Sequence, residues 1–233
     1  MITDKLIKRI IELQNPTCVG LDTLFDYLPD DMKSGVATFE EAAEKILEFN
    51  KKIIDNIADI VPSVKVQIAY YEMYGVAGLK AFEETLDYAA KAGLIVIADA
   101  KRNDIGSTAS CYAKTFLGET AVNEYTYRPF PSDFVTVNGY LGTDGIAPFV
   151  EQCEKNDKGI FVLVKTSNPS SGELQDLTLE NGKRYTNIWA NSLKNGAKAR
   201  LGNTAIRRSA RSLGQPTPYN RRACVNCCRI PSS

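Results

Sequence analysis

Three charged side chains follow an apolar run near the middle of the chain. Residues 94–98 read Leu-Ile-Val-Ile-Ala, which is typical of a strand buried on both faces. Asp99, Lys101 and Asp104 come next, within six residues. Because side chains alternate along a strand, Asp99 and Lys101 are expected on one side, as a carboxylate beside an ammonium group. At the C-terminal end of a parallel strand such a pair could bind and act on a ligand, but a structural salt bridge would also explain it.

The longer string D-A-K-R-N-D-I-G-S-T, residues 99–108, is more specific than a bare D-x-K. It closely resembles the D-x-K-x-x-D-I signature of the orotidine 5'-phosphate decarboxylases, with a threonine four residues after the second aspartate. C-V-G-L-D ending at Asp22, V-K-x-Q around Lys65 and K-T-S-N-P-S-S-G-E-L-Q-D around Ser167 extend the resemblance and favour the longer bacterial branch of that family. The resemblance covers roughly residues 1–190.

Each of these three supporting positions also has an ordinary structural interpretation. Asp22 could be a turn residue at the end of a strand. Lys65 could extend its ammonium group from a buried strand to the rim of the fold, as long charged side chains commonly do. The Ser/Pro/Gly-rich stretch around Ser167 has the composition of any surface connection. These positions therefore add specificity only together with residues 99–108.

Apolar runs alternate with amphipathic stretches along most of the chain. Strands are expected near residues 16–22, 63–72, 94–99, 133–140 and 159–167, and helices near residues 3–14, 38–59, 74–92, 108–127 and 145–153. Five βα units predict a (β/α)8 TIM barrel, which by resemblance is of the ribulose-phosphate-binding type. The last three strands of that barrel are expected to be missing or scrambled.

Composition and length place limits on the class of protein. The chain has 233 residues, 44% hydrophobic and 24% charged, as expected of one globular α/β domain. It has no run of 18 apolar residues that would predict a membrane span, and its first ten residues differ from a signal peptide. Cys18, Cys111 and Cys153 are scattered, as in a reducing compartment. A cytoplasmic location without a membrane partner is expected.

The C-terminal part of the sequence differs from the rest in charge and pattern. No acidic residue follows Glu180, whereas the last 53 residues contain 11 Lys and Arg. Apolar periodicity ends after Trp189. Codons compatible with residues 202–233, read one base earlier, can encode V-G-A-V-V-G-A-T and then an amphipathic helix. We therefore expect a change of frame near codons 190–195, which leaves an incomplete barrel domain, residues 1–190, and an aberrant basic tail, residues 191–233.

The tail also suggests two binding functions that the sequence does not favour. Cys224, Cys227 and Cys228 could form half of a zinc or redox site. They lack a second ligand pair, and the chain contains no histidine, so no metal site is expected. The excess of Lys and Arg could attract nucleic acid in a salt-sensitive way, but no specific nucleic-acid partner is expected.

The resemblance implies a reaction and a role for each matching residue. Orotidine 5'-monophosphate (OMP) would lose CO2 to give UMP, the last step of de novo pyrimidine synthesis, without any cofactor. Asp99 would contact the departing carboxylate, and Lys101 would stabilise charge at C6 and then protonate it. Lys65 would hold Asp99 and the ribose, Asp22 would contact the ribose, and Ser167 would bond the edge of the base.

The resemblance also implies a homodimer, and one binding residue that it leads us to expect has no match in this sequence. Asp104, Ile105 and Thr108 would reach into the neighbouring subunit's site. No residue matches the family's phosphate-binding arginine, so we expect the chain as written to fold poorly and to have little decarboxylase activity. Two alternatives stay open. One is a magnesium-dependent sugar-phosphate enzyme of the same superfamily, which shares D-x-K-x-x-D, and the other is a non-catalytic truncated remnant that at most pairs with intact subunits.

Overall fold

Helices and strands alternate along the part of the chain that the computed structural model describes, which is residues 1–187, residue 190 and residues 227–229. The α-helices are α1 (Ile2–Leu13), α2 (Asp30–Lys33), α3 (Phe39–Ile57), α4 (Ala69–Glu72), α5 (Gly75–Lys91), α6 (Gly106–Leu117), α7 (Thr143–Asn156) and α8 (Gly172–Gln175). Phe25–Tyr27 and Pro169–Ser171 form single 3-10 turns. The strands are β1 (Cys18–Gly20), β2 (Ser63–Gln67), β3 (Ile95–Arg102), β4 (Thr120–Val122), β5 (Tyr125–Tyr127), β6 (Phe134–Asn138), β7 (Gly159–Leu163) and β8 (Cys227–Arg229).

The chain divides into two compact units. Unit 1 contains Met1–Ala100 and Lys114–Val135, and unit 2 contains Lys101–Ala113 and Thr136–Ser233. The main sheet has the strand order β1-β2-β3-β6-β7-β8, and its first five strands are parallel. No helix in the described residues is long and apolar enough to cross a membrane.

In unit 1, β1, β2 and β3 form a parallel ladder that carries much of the core. Val64 and Val66 of β2, and Val96 and Ala98 of β3, are completely buried. Strands of a parallel sheet are covered by helices on both faces, which explains the nearly continuous apolar runs. The register sets Gln67 opposite Asp99, so the polar ends of β2 and β3 lie side by side.

Helices α3 and α5 pack together in unit 1. Helix α3 begins with a capping box in which Thr38 Oγ1 accepts from the Glu41 N–H at 3.2 Å and the Glu41 carboxylate accepts from the Thr38 N–H at 3.0 Å. Its buried face contains Ile46 and Ile54, and α5 contributes Phe82 to the same core. The amphipathic spacing predicted from the sequence therefore forms the expected buried stripe.

In unit 2, β7 has an antiparallel neighbour. Phe161 is opposite Arg229 and Leu163 is opposite Cys227 in the pairing of β7 with β8. Every strand of a TIM barrel is parallel to its neighbours, so β8 is not the sixth barrel strand. Five parallel strands in an α/β chain confirm the predicted fold class, and the described residues do not close a barrel.

The structure corrects two of the predicted elements. The helix expected to run to about residue 127 ends at Leu117, and a hairpin of β4 and β5 follows. Asn123, in the two-residue turn of the hairpin, has φ +53°, a conformation in which asparagine is favoured. The two strands are rich in Thr, Val and Tyr, which favour strands over a further helical turn. The strand expected over residues 63–72 ends at Gln67, and residues 69–72 form helix α4 instead. The predicted tail, residues 191–233, lies outside the described residues except for residues 227–229, so the predicted domain boundary after residue 190 stays a prediction.

Gly78 tests how closely α5 approaches the segment before it. A Cβ atom at this position would lie 1.9 Å from the Tyr71 carbonyl oxygen, which is backbone and cannot move aside cheaply. We expect Gly78→Ala to lower the free energy of unfolding by about 1–3 kcal/mol or more, measured by urea denaturation. Gly172→Ala is the control, because its Cβ would lie 3.4 Å from the Asp176 carboxylate, and it should change stability by less than about 0.5 kcal/mol. Equal effects would contradict the close approach.

Candidate active site

In unit 1, one ammonium group on β2 lies between two carboxylates, one on β3 and one just after β1. Lys65 Nζ donates to Asp22 Oδ1 at 2.9 Å and to Asp22 Oδ2 at 3.3 Å. The same nitrogen lies 3.2 Å from Asp99 Oδ2. Asp22 comes two residues after β1, and the parallel order β1-β2-β3 brings the three side chains together. The trio carries one positive and two negative charges, so it presents excess negative charge at the strand ends.

Asp99 is the most enclosed member of this trio and has a second partner. Its residue is only 6% exposed, which would be costly for an unpaired carboxylate. Gln67 Nε2 donates to Asp99 Oδ2 at 3.0 Å, while Gln67 Oε1 accepts from the Ala69 N–H at 3.3 Å. The amide is thereby anchored at both ends. Gln67 was not predicted as a site residue, although its position two residues after Lys65 on one strand was the available signal.

The surroundings of Lys65 keep it charged. Burial alone would lower its pKa, but the hydrogen bond to Asp22 and the charge of Asp99 outweigh burial, so the pKa of Lys65 is raised above its usual value of 10.5. The ammonium form therefore persists at neutral pH. A protonated Lys65 is suited to holding carboxylates in place and cannot act there as a general base.

A buried polar network fixes the chain on both sides of Asp22. Thr23 Oγ1 donates to Asn50 Oδ1 at 2.7 Å, and Asn50 Nδ2 donates to the Tyr71 hydroxyl at 2.8 Å. That hydroxyl in turn lies 3.4 Å from the Leu21 carbonyl oxygen, and burial raises the pKa of Tyr71. The Leu21 N–H donates to the Lys65 carbonyl at 2.8 Å. Asp22 therefore projects from a backbone that is held before and after it.

Lys101 belongs to unit 2 and has an unusual backbone conformation. It lies in β3 two residues after Asp99, and its φ is +47°, in the left-handed region that non-glycine residues rarely adopt. Its N–H donates to Thr136 Oγ1 at 2.9 Å. The prediction that Asp99 and Lys101 share a side relied on strict alternation, and that alternation does not apply to a residue with positive φ.

Asp104, Ile105 and Thr108 lie at the start of α6. Asp104 Oδ1 accepts from the Ile105 N–H at 2.9 Å. Ile105 is 52% exposed, which is high for a large apolar side chain, and Thr108 is also exposed. Gly106 turns the chain into the helix with φ +54°. This cluster offers an apolar side chain and polar groups at the surface of unit 2.

Ser167 lies in a loop whose base is tied by side chains. The Thr166 N–H donates to Gln175 Oε1 at 2.8 Å, and Gln175 Nε2 donates to Thr166 Oγ1 at 2.8 Å. Lys165 Nζ pairs with Asp176 Oδ2 at 2.5 Å. Ser167 itself is exposed, so its hydroxyl is accessible from solvent.

The fold and the charged strand ends define an α/β chain of the TIM-barrel class with a charge-paired site. The model of the Orotidine 5'-phosphate decarboxylase / HUMPS family matches residues 16–213. The chain belongs to this family, which confirms the family inferred from the motifs. It is 41% identical over 203 residues to an orotidine 5'-phosphate decarboxylase of Clostridium perfringens strain SM101, covering 87% of this chain and 66% of that protein. Identity to the enzyme of the same name from Rhodopirellula baltica is 44% over 181 residues, covering 77% and 59%.

Solved structures share the fold of this chain. The Leishmania donovani OMP decarboxylase matches with a TM-score of 0.62 and 29% identity, covering 86% of this chain and 65% of that one. A Plasmodium berghei orotidine 5'-monophosphate decarboxylase, at 22% identity, shares the fold with a TM-score of 0.71, covering 85% and 72%. Of the two curated relatives, from Clostridium perfringens and Rhodopirellula baltica, the chain spans 66% and 59% of the length.

Removing the bridging ammonium should destabilise unit 1 far more than removing a surface ammonium. Lys65→Met keeps most of the side-chain stem but leaves Asp99 enclosed beside Asp22. We expect a loss of about 2 kcal/mol in the free energy of unfolding, a figure reduced from that of fully buried pairs because Lys65 is partly exposed. Lys91→Met, which breaks the exposed pair with Asp87, should cost less than about 0.5 kcal/mol. Similar losses in urea melts would show that the trio contributes no more than a surface pair.

The raised pKa of Lys65 also predicts a pH dependence. A lysine whose pKa is higher in the folded state stabilises that state at any pH below its unfolded value, and the contribution is lost as pH rises through the folded value. The stability difference between the wild-type chain and Lys65→Met should therefore be constant from about pH 7 to 9 and shrink above the usual pKa of 10.5. A difference that already disappears at about pH 8 would contradict the charged bridge.

Proposed function

We propose that this chain carries the decarboxylation site of an OMP decarboxylase, which converts OMP to UMP and CO2 in pyrimidine biosynthesis without a cofactor. The observation that carries this proposal is the Asp22–Lys65–Asp99 trio, which three neighbouring parallel strands bring together. Relatives at 41–44% identity carry the name of this enzyme. A site that holds fixed charges before substrate arrives is suited to a reaction in which charge moves from a carboxylate to a ring carbon.

In the proposed reaction, Asp99 repels the substrate carboxylate, and Lys101 attracts the negative charge that develops on C6. Asp99 is held in place by Lys65 and Gln67, so it cannot move away from a substrate carboxylate, and loss of CO2 removes the like-charge contact. The C–C bond to the carboxylate breaks, and its electron pair stays on C6 of the pyrimidine. Lys101 stabilises that pair and then donates a proton to it. Asp22 binds a ribose hydroxyl with its remaining acceptor capacity.

The remaining predicted residues bind other parts of the nucleotide or a second subunit. Ser167 is proposed to bond the base edge, since its hydroxyl is accessible in a tied loop. Asp104, Ile105 and Thr108 are proposed to complete the site of a partner in a homodimer, and the 52% exposure of Ile105 supports an apolar contact there. A cytoplasmic location fits a reaction on a charged nucleotide.

Activity of the 233-residue chain is a separate question from its function by descent. Phosphate binding supplies much of the binding energy used in such a reaction, and no phosphate-binding arginine is recognisable in this sequence. We propose that the chain as written has an incomplete barrel and greatly reduced turnover. A frame change near codons 190–195, with residues 191–233 as an aberrant tail, accounts for both.

A decarboxylation assay on two proteins tests these proposals separately. The 233-residue chain and a frame-restored chain are incubated with OMP, and UMP formation is measured. The frame-restored chain should form UMP, and Lys101→Ala in that chain should lower kcat at least about 100-fold, while Lys91→Ala leaves it unchanged. Absence of UMP formation by the frame-restored chain would refute the proposed function. Equal rates of UMP formation by the 233-residue chain and the frame-restored chain would refute only the proposal that the 233-residue chain has reduced turnover.

A magnesium-dependent sugar-phosphate enzyme of the same superfamily is the second candidate. The matching family model includes that branch in its description. Against it, Lys65 Nζ already lies between the Asp22 and Asp99 carboxylates at 2.9 and 3.2 Å, where a cation would compete with a covalently attached ammonium group. Addition of EDTA should leave OMP decarboxylation unchanged, and a chelator-sensitive reaction on a sugar phosphate would favour this candidate instead.

A non-catalytic remnant is the third candidate. Its only expected role is pairing with intact subunits through the surface at Asp104, Ile105 and Thr108. Sedimentation of the 233-residue chain mixed with an intact relative distinguishes this role from catalysis, because a remnant would form mixed dimers without forming UMP on its own.

A further inference from the structure

Thr136 is the polar exception in an otherwise apolar strand. Strand β6 reads Phe-Val-Thr-Val-Asn, and Thr136 is only 8% exposed, between Val135 and Val137 at 0% and 1%. Valine has nearly the shape of threonine and would avoid burying a hydroxyl. A buried hydroxyl is costly unless it forms hydrogen bonds, so its presence in β6 calls for a partner.

The partner is the backbone of Lys101. Thr136 Oγ1 accepts a hydrogen bond from the Lys101 N–H at 2.9 Å, and both residues belong to unit 2. Lys101 has φ +47°, and a non-glycine residue persists in this strained conformation only where its surroundings hold it there. A backbone N–H group that is shielded from water requires an acceptor, and the bond between Lys101 and Thr136 is partly buried. The Thr136 hydroxyl supplies that acceptor.

We propose that Thr136 is a positioning residue, whose hydroxyl holds the backbone of Lys101 in its left-handed conformation and thereby sets the direction in which the Lys101 side chain leaves β3. This inference deepens the proposed function, on which its catalytic consequence rests. Without the hydroxyl, Lys101 gains by returning to the extended conformation of the rest of β3. Its Cα–Cβ bond would then point elsewhere, and its ammonium group at the end of a long stem would be displaced.

The direct test measures the amide of Lys101 and needs no activity. Hydrogen exchange is followed by NMR in the full 233-residue chain and in the variants Thr136→Val and Thr136→Ser. Thr136→Val should accelerate exchange of the Lys101 N–H at least about 10-fold and change its three-bond HN–Hα coupling towards the value of an extended residue. Thr136→Ser, which restores a hydroxyl, should return both readouts close to wild type.

Thr85→Val is the matched control for replacing a buried threonine. Thr85 is completely buried, and its hydroxyl donates to the Ala81 carbonyl at 2.7 Å inside α5 in unit 1. This variant should leave the exchange of the Lys101 amide unchanged. Unaltered exchange in Thr136→Val, or equal acceleration in Thr136→Val and Thr136→Ser, would overturn the proposal.

A kinetic test then separates this inference from the proposed function. In the frame-restored chain, Thr136→Val should lower kcat for OMP about 10- to 100-fold with little change in KM, and Thr136→Ser should recover most of it. If that chain does not act on OMP at all, the proposed function fails, while the exchange measurement still decides whether Thr136 holds Lys101. Normal kcat in Thr136→Val despite faster amide exchange would overturn the positioning role.

Discussion

The site depends on one ammonium group that is paired with two carboxylates. Lys65 Nζ contacts Asp22 at 2.9 Å and Asp99 at 3.2 Å, and Asp99 is almost fully enclosed. Without that contact the enclosed carboxylate would be destabilising, so unit 1 tolerates Asp99 only while β1, β2 and β3 keep their parallel order. The parallel order of the strands is therefore what brings the three charged side chains together. Because both carboxylates share one cation, the trio retains net negative charge where a ligand would arrive.

The residues around this trio keep it in a fixed geometry. Gln67 binds Asp99 from the neighbouring strand, and the Thr23–Asn50–Tyr71 network holds the backbone beside Asp22. Apart from Thr23, which follows β1, these residues lie in strands and helices, which place side chains more accurately than loops do. Such rigidity suits a reaction driven by electrostatics, since fixed charges need no rearrangement while charge moves in the substrate. The role proposed for Asp99 needs the same rigidity, because its carboxylate has to stay against a substrate carboxylate that repels it.

The sequence was sufficient to predict the parallel strands, the amphipathic helices and the family, because buried parallel strands and the 99–108 motif have strong local patterns. Glycine is favoured in the left-handed conformation just past the end of a helix, and Gly93 has φ +84° two residues after α5. The hairpin at residues 120–127 was missed, since its short strands compete with a plausible helix. Positive φ at Lys101 could not be predicted, because it depends on a hydroxyl from a strand 35 residues away. Gln67 stands in the V-K-x-Q stretch two residues after Lys65, but the sequence alone does not indicate which acceptor its amide binds.

The central claim is that Lys65 and Asp99 act as one unit, and a double-mutant cycle measures it most directly. The free energy of unfolding is determined by urea denaturation for the wild-type chain, Lys65→Met, Asp99→Asn and the double variant. The account predicts a coupling free energy of at least about 1 kcal/mol, with the double variant less destabilised than the sum of the single ones, because a neutral amide in place of the carboxylate no longer needs a cation. Additive losses would contradict the account, since they would mean that Lys65 and Asp99 are neighbours without being partners.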